Sequence, residues 1–476
     1  MKCLRNTKVV VVLVLVMVSW QINGELSEME MAPMEEAEQG GLYSVIQGFV
    51  GSWWNGSDLY PDPCGWTPIQ GVSCDLFDGL WYVTALNVGP IHENSLGCAT
   101  RVEFRPQLFE FKHLKTLSFF NCFVSRHKHP VSIPTSNWEK LASKLESLEF
   151  RSNPGLIGQV PASLGSLVKL QSLVLIENGL AGELPAEIGY LVSLERLVLS
   201  ENRLSGSIPD SFGGLNRLLI LDLSGNSLSG QLPPSLGSLT SLLKLDLSNN
   251  FLEGNLPNEI SNMKCLTLLD LSTNKFTGLL VKPLEKLSSL EQMVLSNNPI
   301  GGDLKSLEWE KLEKLAILEL SNTSLGGQIP ESISELKRLR FLGLSDNNLS
   351  GNLSPRLAKL PCVGALYLNG NNLTGELKFS AWFYEKMGRR FGAWDNPNLC
   401  YTTAIGPSPP PSHVPYGVKP CQTKVKLVEP GSEAYLGHAV LNQTSHFLAS
   451  LGLSSNVVYG FWWLVSLELL LMFSFL

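Results

Sequence analysis

The chain has 476 residues, a formal net charge of -7, 44% hydrophobic residues and only 17% charged ones. This is longer than one ordinary core requires, so several domains or a repeat array are the alternatives. The apolar content excludes a disordered chain, and the acidic balance without clustered Lys and Arg excludes a nucleic-acid surface.

Residues 1–24 read as a secretory signal peptide. Lys2, Arg5 and Lys8 precede the apolar run Val9 to Val18, and small Gly24 closes a cleavage site. Ten apolar residues are too few to cross a hydrocarbon layer of ~30 Å. Secretion predicts an oxidising compartment for the cysteines. Residues 25–82 then form an acidic start and an N-terminal cap. The start, Glu25 to Gln39, holds six glutamates and reads as a solvated, mobile segment. Cys64 and Cys74 bracket CGWTPIQGVSC and read as a cap disulfide, with Trp66 available to cover exposed leucines.

Two looser turns occupy residues 83–144. Val83-Leu86-Val88 and Leu114-Leu117-Phe119 carry a strand pattern, and Cys98 with Cys122 form a second expected pair. The basic stretch Arg126-His127-Lys128-His129 reads as a solvated loop in preference to a metal or anion site.

From Leu145 the chain repeats. Unit starts at Leu145, Leu170, Leu194, Leu218, Leu242, Leu266, Leu290, Leu315, Leu339 and Val363 recur every 24 or 25 residues and fill residues 145–386. In LLILDLSGNSLSGQLPPSLGSLTS, Leu218, Leu221 and Leu223 face inward and alternate with exposed residues, as a short strand requires. Asn202, Asn226, Asn250, Asn274, Asn298, Asn347 and Asn371 recur at the turn, where an amide can serve the backbone of adjacent units. One unit cannot bury its leucines alone, whereas stacked units share one core. The predicted fold is an α/β solenoid: a leucine-rich-repeat, right-handed superhelix with a parallel sheet on its concave face and disulfide-capped ends.

Cys400 and Cys421 lie in the C-terminal cap, residues 387–421, and form the third expected pair. Cys265 and Cys362 stand four repeats apart, about 19 Å at ~4.8 Å per strand, beyond disulfide reach. They read as buried structural thiols. Residues 422–456 are a linker. Residues 457–476 are apolar with one charge, Glu468, and read as a glycolipid-anchor signal with Ser450 as the attachment candidate. A membrane span is the alternative reading.

The unit seen in LERLVLSENRLSGSIP, together with the capping CGWTPIQGVSC, resembles the plant-specific class of leucine-rich-repeat extracellular domains. The resemblance covers roughly residues 42–421. It implies a receptor-like protein at the plasma membrane, facing the cell-wall space and engaged in perception of microbes or developmental peptides. Without a kinase of its own, such a protein implies a transmembrane receptor kinase as signalling partner. The alternative is an apoplastic inhibitor of a microbial cell-wall-degrading enzyme, resembling polygalacturonase-inhibiting proteins. No catalytic arrangement, cofactor or metal site has supporting context.

The candidate ligand surface is the concave face. One stripe carries Asp222, Asp246, Asp270 and Glu319, which would favour a basic partner. A neighbouring stripe carries Arg196, Ile220, Lys244, Leu268, Ile317 and Phe341, whose apolar members suggest contact with an extracellular peptide, protein or glycan. Glycan acceptors are Asn55, Asn322, Asn348, Asn352, Asn372 and Asn442. Sugars on the C-terminal four of the solenoid would crowd that half and direct binding toward the middle repeats.

Overall fold

The computed structural model describes residues 32–90, 97–125, 129–402 and 414–422. The chain divides into two compact units, 1–422 and 423–476, and the described residues all belong to the first. The signal peptide, the Arg126-His127-Lys128 stretch, the linker, Asn442, Ser450 and the apolar tail lie outside them.

One 14-stranded sheet runs through the unit. It opens with an antiparallel hairpin, Val72–Phe77 with Leu80–Val88. Asp78 and Gly79 make its two-residue turn, both at positive φ, 50° and 80°. That backbone matches the right-handed twist of the flanking strands, and glycine adopts it without a Cβ penalty. Every later strand joins in parallel, from Thr116–Phe120 and Ser147–Arg151 through Phe391–Gly392. The register steps one repeat at a time. Leu197, Leu221, Leu245 and Leu269 face one another in sequence, and each is 0–1% exposed. The opposite side of each repeat is a five-residue 3-10 turn, such as Pro234–Ser238, which buries Leu236.

Asparagines tie the repeats together. The Asn250 Nδ2 donates to the carbonyls of Leu223 (3.0 Å), Leu247 (3.2 Å) and Ser248 (3.1 Å), while its Oδ1 accepts from the Leu228 N–H (3.0 Å). Two of these bonds cross to the preceding repeat, so a polar residue 5% exposed is satisfied by the stacking itself. Asn153, Asn178 and Asn396 do the same work at positions outside the recurrent set. Thr323 replaces asparagine in one repeat; its hydroxyl donates to the Leu320 carbonyl (2.6 Å).

A second set of short strands forms two sheets, six and five strands wide. The first ends at Lys275–Phe276 and the second begins at Gly326–Gln328. In between, Asp303 caps a 3-10 turn, Leu304–Ser306, by accepting from the Lys305 N–H. Here Trp309, fully buried, donates to the Leu304 carbonyl at 2.7 Å.

Both ends are closed differently from the sequence expectation. The acidic start is not wholly a solvated segment: Glu36–Val50 is a helix that buries Leu42, Val45, Ile46 and Phe49 along one face. Glu38, 5% exposed, accepts from the Val83 N–H, and Glu35 pairs with Lys112. Trp66 is 65% exposed and covers nothing; Trp54, 2% exposed, fills that role. At the other end Ala381–Met387 is a helix, capped by the Ser380 hydroxyl, that buries Phe383, Tyr384 and Met387 against the last repeats.

Disulfides join Cys64 to Cys74, Cys98 to Cys122 and Cys400 to Cys421. Neither remaining cysteine of the solenoid is a buried thiol. Cys265 is free and exposed, because its position before the strand points outward, and Cys362 is half-buried and disulfide-bonded. Among the described residues no helix is long and apolar enough to cross a membrane.

Candidate ligand-binding face

The long sheet places the two stripes in true rows. Arg196, Ile220, Lys244, Leu268, Gln292, Ile317, Phe341 and Ala365 are successive register partners. Two residues further along each strand, Val198, Asp222, Asp246, Asp270, Val294, Glu319, Gly343 and Tyr367 are partners in the same way. Neighbours in a row are one strand spacing apart, ~4.8 Å.

The apolar members are half-buried, not fully exposed, because each side chain leans on its row neighbours. Lys244 and Gln292 also interrupt them. Only Ile317 and Phe341 are adjacent, so the apolar contact surface lies toward the C-terminal third. The Phe341 ring continues to Tyr367, 5.8 Å between centroids at 51°.

The carboxylates are built into the repeat. Asp222, Asp246 and Asp270 each accept at Oδ1 from the hydroxyl two residues on, at 2.6, 2.8 and 2.6 Å. Glu319 accepts from the Ser321 N–H at 2.9 Å. One oxygen therefore closes the local turn and the other is left to the face. Lys244 bridges two of these free oxygens, 2.9 Å from Asp222 and 3.3 Å from Asp246. Burial works against its charge, but the two carboxylates outweigh that and raise the ammonium above its usual value.

Elsewhere in the row burial wins. Asp270, 9% exposed, is pushed up to about 7 by burial and by the Asp246 charge, against the two bonds from Ser272. Burial also raises Asp246, aided by Asp222 and opposed by Lys244, and it raises Glu319 against the Ser321 bonds. Among the described residues no cation pairs with Asp270 or Glu319. Arg196 is lowered by burial and by Arg151 beside it, and its Nε has no hydrogen-bond partner. Glu201, raised by burial and then by Glu177, Asp222 and Asp246, extends the acidic ground N-terminally.

Two residues on this face were not singled out in the sequence. Gly343 gives the row its gap, and Glu319 fills it: a Cβ there would collide with the Glu319 carboxylate. Gly225 stands in the same relation to Glu201. The signal was available, since glycine replaces a side chain at a fixed repeat position.

The five described glycan acceptors, Asn55, Asn322, Asn348, Asn352 and Asn372, are all exposed. Asn348, Asn352 and Asn372 belong to the separate five-stranded sheet, not to the long one. Sugars there would not obstruct the rows, and the expected bias toward the middle repeats loses most of its basis. Asn322 alone follows directly on a strand of the long sheet, Ile317–Glu319. Among the described residues no group of His, Cys, Asp and Glu could hold a metal ion.

The Leucine rich repeat family models match residues 182–228, 241–263, 314–336 and 338–360. Fold, repeat and cysteine caps together define a leucine-rich-repeat protein of the plant receptor-like type. Over 156 residues it is 61% identical to Piriformospora indica-insensitive protein 2 of Arabidopsis thaliana, a match spanning 33% of this chain and 36% of that one. It is 35% identical over 150 residues to Receptor like protein 29 of Arabidopsis thaliana, 31% of each chain. The chain spans about a third of the length of the curated relatives it matches. Among solved structures, a TDR receptor is 32% identical with a TM-score of 0.50, covering 61% of this chain and 47% of that one. The receptor in the PEPR1-AtPEP1 structure matches the fold at a TM-score of 0.59, 24% identity, over 77% and 59% of the two chains.

Proposed function

We propose that this chain is a cell-surface receptor-like protein whose long-sheet face binds an extracellular peptide, protein or glycan and which signals through a partner transmembrane receptor kinase. The carrying observation is the pair of in-register rows, one acidic and one ending in the apolar step from Ile317 to Phe341. Rows of this kind give an extended ligand a repeated contact every ~4.8 Å, close to the rise of two residues of extended chain. Similarity to relatives named as receptor-like or as a receptor supports the reading. A glycolipid anchor at Ser450 and a role in microbe perception, symbiosis or defence belong to the same proposal.

The full-length chain, expressed in plant cells, tests it. Release from the cell surface by phosphatidylinositol-specific phospholipase C, with a receptor kinase crosslinked to the chain, supports the proposal. The paired substitutions Ile317→Asp and Phe341→Asp should abolish ligand crosslinking while secretion persists. Recovery of the chain from the medium, with inhibition of a microbial polygalacturonase, overturns it in favour of the inhibitor.

A further inference from the structure

The acidic row treats its cations unequally. In the middle, the chain supplies its own: Lys244 sits between the free oxygens of Asp222 and Asp246 and shows how a cation seats on this face. At Glu319 the chain supplies none. Oε1 is held by the Ser321 N–H, and Oε2 has neither a hydrogen bond nor an ion pair among the described residues. The nearby Arg390 guanidinium is turned away, donating to the backbone carbonyls of Lys386 and Met387 at 2.7 and 3.4 Å.

The surroundings of Glu319 are shaped as well as charged. Its carboxylate lies over Gly343, where any side chain would displace it. Phe341 stands two residues away on the same strand as Gly343, and Tyr367 is the register partner of Gly343 on the next strand. The rings are both half-buried and 5.8 Å apart, so the glycine floor is walled by two aromatic faces and one carboxylate.

We infer that this notch of Glu319, Gly343, Phe341 and Tyr367 seats an arginine side chain carried by the extracellular ligand, an assignment that rests on the ligand-binding reading of the face. A guanidinium can stack flat on an aromatic ring within about 6 Å and donate to a carboxylate from its edge at once. An ammonium is a more strongly hydrated point charge and uses the aromatic wall less well. A neutral sugar would stack on the rings but leave the Glu319 charge unmatched.

The test uses the full-length chain purified from plant cells, with Nα-acetyl-arginine amide as probe and its neutral isostere Nα-acetyl-citrulline amide as control. Saturation-transfer NMR at millimolar concentration reads binding that weak. Transfer to the arginine side-chain methylenes, at least tenfold weaker for citrulline, is the expected result. Glu319→Gln and Phe341→Ala should each remove it, and Asp222→Asn, outside the notch, should leave it unchanged. Equal transfer to citrulline, retention in Glu319→Gln, or no transfer to arginine at all overturns the assignment. So does a neutral glucan oligomer that binds where arginine does not. A thermal midpoint shared by all variants guards against misfolding. Ligand crosslinking on cells does not use this probe, so its success alongside arginine failure sinks the notch alone.

Discussion

Replacing Asp270 by Asn should stabilise the protein, and more so as pH rises. The carboxyl is 9% exposed and its pKa is raised from 3.8 to about 7, first by burial and then by Asp246. Between those values the folded state holds a proton that the unfolded state has released, so stability falls as pH climbs through that window. Three pK units at 1.36 kcal/mol each set a ceiling of about 4 kcal/mol. Attraction to Lys244 and readjustment of the Ser272 hydroxyl relieve part of it, leaving about 2 kcal/mol at neutral pH. The amide keeps the bonds from Ser272, because an Asn Oδ1 accepts as the carboxylate Oδ1 does. Differential scanning fluorimetry at about pH 4 and about pH 8 reads the effect. Wild type and variant should melt together at the lower pH and about 4 °C apart at the higher, the variant above. A constant offset at both values, or a variant less stable at pH 8, would refute the electrostatic reasoning.

Asn250→Ala removes four hydrogen bonds and strands buried backbone groups of two repeats, Leu223 and Leu228 among them. A loss of about 3 kcal/mol in chemical denaturation, with amide exchange accelerated in the flanking repeats, is the expected outcome; protection unchanged at Leu228 would contradict the account. Trp54→Ala should cost about 3–5 kcal/mol and Trp66→Ala less than about 0.5, since one indole fills the cap and the other stands in solvent. Similar melting points for the two variants would show that the cap closes some other way.

What the chain announced in its letters was whatever repeats. A leucine every 24 or 25 residues declares a strand, a turn and a shared core, and the two rows of the face follow from counting along it. Features that occur once were harder to read. Trp54 and Trp66 look alike in sequence, and only the packing of the Glu36–Val50 helix decides between them. The acidic start concealed that helix because its charged first turn masks the apolar face beginning at Leu42. Sequons placed glycans correctly on the surface but not on a particular face, since the second set of strands has too short a pattern to announce itself. Titration was illegible altogether: Asp222, Asp246 and Asp270 occupy identical sequence positions, yet one lysine and small differences in burial separate them.

The in-register stacking has a hereditary consequence. Each row takes one residue from each repeat, so duplicating a whole unit of 24 residues lengthens both rows by one rung and leaves every other rung where it was. An insertion of any other length would instead throw the following strand out of step. Unequal recombination between repeats can thus shuffle the order of charges and rings along the face, changing what it grips while the core beneath is inherited intact.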